Sequence, residues 1–193
     1  MRRVLAAAIG SLLLLTGALT GCSALQGTGD KGFVTGDGTV RLVSAADRDK
    51  PVTLAGRDLA GKPLDLARLR GEPVVVVVWG SWCTPCREEA PAVVAAAKQL
   101  AGKARFVGIN LRNSSTTEAR AYERTFQVPY PSFYSPDGRA MLQFPGTLGP
   151  NTIPAFVVLD ARGRVAASII GKLPSQQTLV DLVGDVRTQT VDG

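Results

Sequence analysis

Histidine is absent from all 193 residues. Its absence removes Cys-His nucleophiles, Ser-His-Asp triads and almost every metal site that uses imidazole. Cysteine is scarce, with Cys22, Cys83 and Cys86 making the full complement. A zinc site needs about four Cys or His ligands, so none is expected here. Charge of one sign is not concentrated anywhere. The formal net charge is +6, Arg2 and Arg3 supply two of those charges, and the rest are scattered among acids. No basic stripe with interleaved aromatics occurs, so nucleic acid is not an expected partner. A retained membrane span is the lesser expectation at the N-terminus. The N-terminal apolar stretch, residues 4–20, contains Ser11, Thr16 and glycines and is short for a span of about 20 residues.

What is present centres on residues 74–87. Five valines, Val74 to Val78, run into Trp79. An unbroken β-branched run reads as a strand buried on both faces of a parallel or mixed sheet. Cys83-Thr84-Pro85-Cys86 follows, and then a segment rich in helix formers. The pair therefore falls where a strand gives way to a helix. A helix start carries unpaired N–H groups and partial positive charge, which favour a thiolate, the reactive form of cysteine. Cys83 is expected as the exposed sulfur at the helix start, with Cys86 as its shielded partner one turn inside. Cysteines three residues apart in a first turn are close enough to form and reopen a small disulfide. A purely structural disulfide of this spacing closes almost no loop and stabilises little, so redox exchange is the better reading.

The N-terminus has the layout of a secretory signal: Arg2-Arg3, then the apolar stretch. Leu19-Thr20-Gly21-Cys22 resembles the bacterial lipobox, which is cut before a cysteine that then carries lipid. The expected organisation is a lipoprotein-type signal over residues 1–21, a lipid-anchored flexible linker over 22–50 and one domain over 51–190. Lipid on Cys22 would hold the protein to the membrane through apolar burial and would leave one redox pair. Within the glycine-rich linker, Phe33-Val34 and residues 40–43 flank Gly36-Asp37-Gly38, a reasonable hairpin whose strands would pack on the domain's edge.

Along the domain, residues 51–54 and 63–66 read as an N-terminal hairpin around Ala60-Gly61-Lys62. The helix after Cys83 should run to about Leu100, with Pro91 inside it and Gly102 ending it. Residues 105–110 read as the next strand, giving a βαβ unit. Ser115-Thr116-Thr117-Glu118 is a capping box opening a helix with Ala119, Tyr122 and Phe126 inward. A short strand at Phe133-Tyr134, a strand over 154–160, a hairpin partner over 164–170 and a last helix over 175–187 complete the pattern. The fold class is α/β, a central mixed sheet flanked by helices.

Trp79-Gly80-Ser81-Trp82-Cys83-Thr84-Pro85-Cys86-Arg87 resembles the active-site segment of thioredoxins. Pro91 stands where thioredoxins have their helix-kinking proline, and Thr152-Ile153-Pro154 precedes a strand as the family's cis-proline does. The N-terminal hairpin and the inserted helix near residues 118–126 resemble the TlpA/ResA branch of membrane-anchored, extracytoplasmic thiol–disulfide oxidoreductases. The resemblance implies a thioredoxin fold. It implies that Cys83 attacks, that Cys86 resolves, and that Trp82, Ile153 and Pro154 face the substrate. Thr84 and Pro85 would tune the pair. Thioredoxins bury an Asp six residues before the first Cys; here Val77 holds that position, and Glu89 is the candidate proton carrier instead. No cofactor is implied. The partners implied are exported proteins with disulfides, such as apocytochromes c, and a membrane thiol-redox donor or acceptor. Disulfide formation or isomerisation is the alternative, and a non-catalytic binding lipoprotein is a weaker one. A peroxiredoxin-like peroxidase lacks its Thr-x-x-Cys setting, since Gly80 lies three residues before Cys83.

Overall fold

The computed structural model describes residues 33–35 and 38–191; the signal-like stretch and Cys22 lie outside them. Among the described residues, nine strands form one seven-stranded sheet and one two-stranded ribbon. The strands are β1 (Phe33–Thr35), β2 (Gly38–Leu42), β3 (Ala55–Arg57), β4 (Pro63–Asp65), β5 (Val74–Trp79), β6 (Arg105–Leu111), β7 (Ser132–Ser135), β8 (Ala155–Leu159) and β9 (Val165–Gly171). The helices are α1 (Thr84–Gln99), α2 (Thr116–Phe126) and α3 (Gln176–Val191). The large sheet runs β1-β2-β9-β8-β5-β6-β7. β5 pairs parallel with β6 and antiparallel with β8, so the sheet is mixed, as expected.

The valine run sits at the centre because both of its faces are needed. Side chains alternate along a strand. Val75, Val77 and Trp79 enter the core that also holds Val93 and Ala97 of α1, Tyr122 of α2 and Leu179 and Val183 of α3. Val74, Val76 and Val78 enter the opposite core with Val52, Leu54, Phe133, Met141 and Phe144. A strand buried on both faces has no position where a polar residue is cheap, which accounts for the uninterrupted run.

Two boundaries differ from the sequence expectation. The hairpin expected between Phe33-Val34 and residues 40–43 forms as β1 and β2, and β2 pairs antiparallel with β9, from Gly38 opposite Gly171 to Leu42 opposite Ala167, so the linker expected over residues 22–50 is shorter than that. The folded unit therefore begins ahead of Pro51. Its continuation is fixed by Arg48, whose buried guanidinium lies 3.2 Å from the Asp160 carboxylate. The second difference is the N-terminal hairpin. β3 is Ala55–Arg57 rather than residues 51–54, and it pairs with β4. Residues 51–54 are held elsewhere: the Val52 N–H donates to the Gly163 carbonyl, and the Leu54 carbonyl accepts from Leu66. Val52 and Leu54 are buried, so their apolar alternation reports burial against the sheet rather than hairpin pairing.

α2 starts as its capping box requires, with the Ser115 hydroxyl accepting from the Glu118 N–H. It packs its Ala119 and Tyr122 face into the α1 core. Among the described residues, no helix is long and apolar enough to cross a membrane.

Candidate active site

β5 and β8 deliver the site from neighbouring strands. β5 ends at Trp79, and the chain turns through Gly80 and Ser81 into α1. β8 starts at Ala155, opposite Val78, so the residues just before it meet the start of α1 at the same end of the sheet. Cys83 is the cap of α1. Its Sγ accepts the Cys86 N–H at 3.2 Å, satisfying one of the donors that a helix start leaves open. Thr84 and Pro85 occupy the first helical positions, where a missing proline N–H costs nothing.

Cys83 and Cys86 form a disulfide with their Cα atoms 5.3 Å apart. The expected exposed sulfur at Cys83 is not found. Cys83 is 4% exposed and Cys86 2%, both within a buried apolar cluster. Ile153 packs against the apolar cluster containing both cysteines. It is followed by a cis peptide bond to Pro154, which is buried. The Pro154 carbonyl accepts from Gly171 and the Ile153 N–H donates to the Asn151 carbonyl. Trp82 stays 47% exposed beside the pair. Its indole N–H donates to the Leu111 carbonyl at 3.1 Å, which fixes the ring across the end of β6. Glycine is required next door: a Cβ on Gly80 would lie 2.7 Å from Trp82 Nε1 and 3.1 Å from the Leu111 oxygen.

Glu89 lies one turn after Cys86 on α1. A small cavity, about 10 Å³ to the centre of a water molecule, is walled by Cys86, Glu89, Tyr122 and Tyr130, with Val77 at its side. That is room for about one water. Burial pushes the Glu89 carboxyl up to about 7, against the opposing pull of the Leu173 N–H and of Lys172, while Glu88 adds to the rise. The Leu173 N–H donates to Glu89 at 2.9 Å, and Lys172 pairs with Glu88 at 2.8 Å. Val77, at the position of the thioredoxin aspartate, supplies only an apolar wall, so Glu89 is the carboxyl that reaches the cavity.

Residues that the sequence did not single out complete the surroundings. The Tyr122 hydroxyl donates to the Cys86 carbonyl at 2.8 Å, and its ring stacks on Trp79 with centroids 4.3 Å apart. Burial, reinforced by Glu89, pushes the Tyr122 hydroxyl well above its ordinary value, which keeps it a neutral donor. Trp79 Nε1 donates to Ser132 at 3.2 Å, and Ser132 donates to Glu123 at 2.9 Å. The active-site turn is tied down by Asn113, whose side-chain oxygen accepts from the Ser81 N–H at 3.1 Å and from Asn110 Nδ2 at 2.8 Å. The inward spacing of Tyr122 signalled burial; nothing in the spacing signalled its hydroxyl's partner. Asn110 and Asn113 had one available clue, a pair of amides at the end of an apolar strand next to the cysteine strand.

A helix-capping disulfide, a cis-proline loop and a half-buried carboxyl meet at the start of α1. The Redoxin family matches residues 44–183. The chain belongs to this family. It is similar to the thiol-disulfide oxidoreductase ResA of Bacillus anthracis, 28% identical over 120 residues, covering 62% of this chain and 67% of that protein. It is also similar to the thioredoxin-like protein YneN of Bacillus subtilis, 24% identical over 123 residues, covering 63% and 69%. Among solved structures, a DsbF homologue from Corynebacterium diphtheriae superposes with a TM-score of 0.72 at 28% identity, over 81% of this chain and 99% of that one. A secreted thiol-disulfide isomerase from Corynebacterium glutamicum superposes with a TM-score of 0.72 at 25% identity, over 82% and 98%. This Redoxin chain has the thioredoxin fold and is a protein-disulfide oxidoreductase whose redox pair is Cys83–Cys86. Among the described residues, no group of His, Cys, Asp or Glu could hold a metal ion.

Proposed function

We propose that the protein is an extracytoplasmic oxidoreductase, lipid-anchored at Cys22, that reduces disulfides of exported proteins such as apocytochromes c. One arrangement carries the mechanism: Cys86 and Glu89 wall the same water-sized cavity behind a cysteine that caps a helix. In the reduced protein, the Cys83 thiolate attacks a substrate disulfide. That S–S bond breaks, one substrate thiolate leaves, and a mixed disulfide joins substrate to Cys83. Cys86 gives up its proton toward Glu89, directly or through one water, and its thiolate attacks Cys83. The second substrate thiolate leaves, and the Cys83–Cys86 disulfide remains. The substrate is reduced by two electrons and the protein is oxidised by two. A membrane thiol-redox donor then restores the dithiol. Trp82, Ile153 and Pro154 form the face on which an extended substrate segment lies.

The reductive direction is supported by the two uncharged residues between the cysteines. Thr84 and Pro85 place no cation there, which makes for a less oxidising couple. A second reading, disulfide formation or isomerisation, is favoured by the likeness to a secreted isomerase. The reduction potential separates them. A value near about −270 mV, as in thioredoxin, supports reduction, and one near about −120 mV, as in DsbA, overturns it. Trapping tests the substrate class: in Cys86→Ser, exported proteins should accumulate on Cys83 in non-reducing gels. Absence of adducts, together with no insulin reduction by the intact protein, would remove the reading altogether.

A further inference from the structure

The active-site rim continues past the proline loop into a cleft that the redox chemistry does not use. Arg112 follows β6 directly and is exposed, with φ 52°. A side chain is disfavoured in that left-handed conformation, and glycine would be free of the cost. The arginine side chain is put to use there: its guanidinium donates to the Pro150 carbonyl at 2.5 Å and to the Asn151 side-chain oxygen at 2.7 Å. It thus braces the loop that leads into Ile153 and Pro154. Its neighbour Leu111 accepts from Trp82. Trp82, Leu111, Arg112, Asn151 and Ile153 therefore form one continuous border from the disulfide outward.

Beyond Arg112 lies a cleft of about 220 Å³. Leu111, Met141 and Leu148 are buried and make its apolar floor, and Leu142, 71% exposed, stands at its edge. This is smaller than the about 300–1,000 Å³ of small-molecule pockets, a size that suits a side chain rather than a whole ligand. Its charges do not cancel. Arg139 is paired with Asp137 at 3.1 Å, whereas Arg112 meets only the neutral oxygens of Pro150 and Asn151. The cleft thus keeps one positive charge without a counter-ion among the described residues.

We propose that this cleft docks the substrate polypeptide beside its reacting cysteine, taking one large apolar side chain on its floor and an adjacent acidic side chain on Arg112. The proposal rests on the oxidoreductase reading and specifies its substrates. Continuity with the disulfide border and the uncompensated charge together select this occupant. A polypeptide reacting at Cys83 and lying over Ile153 is led past Arg112 by the border itself.

The test uses the reduced protein and four synthetic peptides, each with one cysteine as a mixed disulfide with 5-thio-2-nitrobenzoate. The flanking pair is Asp-Leu, Lys-Leu, Asp-Ser or Lys-Ser. Cys83 attack releases the coloured thiol, and rates are compared as ratios within each protein variant. An exposed charge contact is worth up to about fivefold, so the intact protein should favour Asp-Leu over Lys-Leu by about that factor, less at high salt. Arg112→Glu should invert the Asp/Lys ratio. Leu142→Ser, an exposed position that leaves the core intact, should lower the Leu/Ser ratio and keep the Asp/Lys ratio. Equal rates for all four peptides, or ratios unmoved in both variants, would overturn the docking site and leave the oxidoreductase reading standing. No release from any peptide would overturn that reading as well.

Discussion

The Tyr122 hydroxyl, carried by the inserted helix, donates a 2.8 Å hydrogen bond to the carbonyl of Cys86. The link matters because α2 is otherwise remote in sequence from the redox pair. It makes α2 a wall of the site and ties it to the first turn of α1.

Tyr122→Phe should keep the ring, its stacking on Trp79 and the fold, and lose the hydrogen bond. A net cost of about 1 kcal/mol is expected, read as a lower denaturation midpoint with unchanged m-value. Tyr122→Ala also empties the cavity wall and should cost about 3–5 kcal/mol. Equal stability of Tyr122→Phe and the unsubstituted protein would show that the hydroxyl is not held by the Cys86 carbonyl.

The Glu89 carboxyl, raised from 4.5 to about 7 by burial, makes a signed prediction. Between those two values the folded protein holds a proton that the unfolded chain has released. This group's contribution to stability is therefore greatest below pH about 4.5 and declines as pH rises to about 7. Gln cannot ionise. The melting temperature of Glu89→Gln relative to the unsubstituted protein should climb across that window and then level off. If Glu89 also carries the Cys86 proton, release of substrate from the mixed disulfide should slow toward the lower end of the about 10²–10⁴-fold typical of acid–base groups, and the inflection near pH 7 should vanish. A pH-independent gap in melting temperature and an unchanged release rate would leave Glu89 a bystander.

Arg48 and Arg164 share the Asp160 carboxylate at 3.2 and 2.8 Å. Burial alone would raise this carboxyl, but the Arg164 N–H, the Arg164 guanidinium and Arg48 outweigh it and hold it below its ordinary value. Its stability contribution is present above the usual carboxylate range and is lost as pH falls through the lowered value. Removing one partner of a buried pair costs about 3–5 kcal/mol. Arg48→Met should fall below that, near about 2 kcal/mol, because Arg164 remains. Acid unfolding of the variant should begin at higher pH. An acid midpoint identical to that of the unsubstituted protein would mean that Arg48 does not hold down the Asp160 carboxyl.

The central strand, the helix after it and the redox pair were legible because each rests on local chemistry. β-branched residues crowd into a twice-buried strand, Ala and Glu favour a helix, and two cysteines at three-residue spacing meet within a turn. The burial of Cys83 was not legible. Cys83 lies in an apolar cluster against which Ile153, from the loop before β8, also packs, and spacing near Cys83 carries no record of that distant partner. The hairpin shift at residues 51–57 has a similar cause, since Val52 found Gly163, more than 100 residues away, as its backbone partner. Arg112 was missed for a different reason: nothing in its type announces a left-handed backbone.

The pairing of β2 with β9 bears on how the isolated domain would behave. Without residues 33–50, β9 would present a seven-residue edge containing Ala166, Ala167, Ile169 and Ile170. An apolar edge of that length is a template for strand addition by another chain. With β2 and β1 in place, the outermost strand is the three-residue β1, too short to recruit a neighbour. The strands ahead of Pro51 thus cover the open side of the sheet, and a fragment begun at Pro51 would be prone to assemble through it.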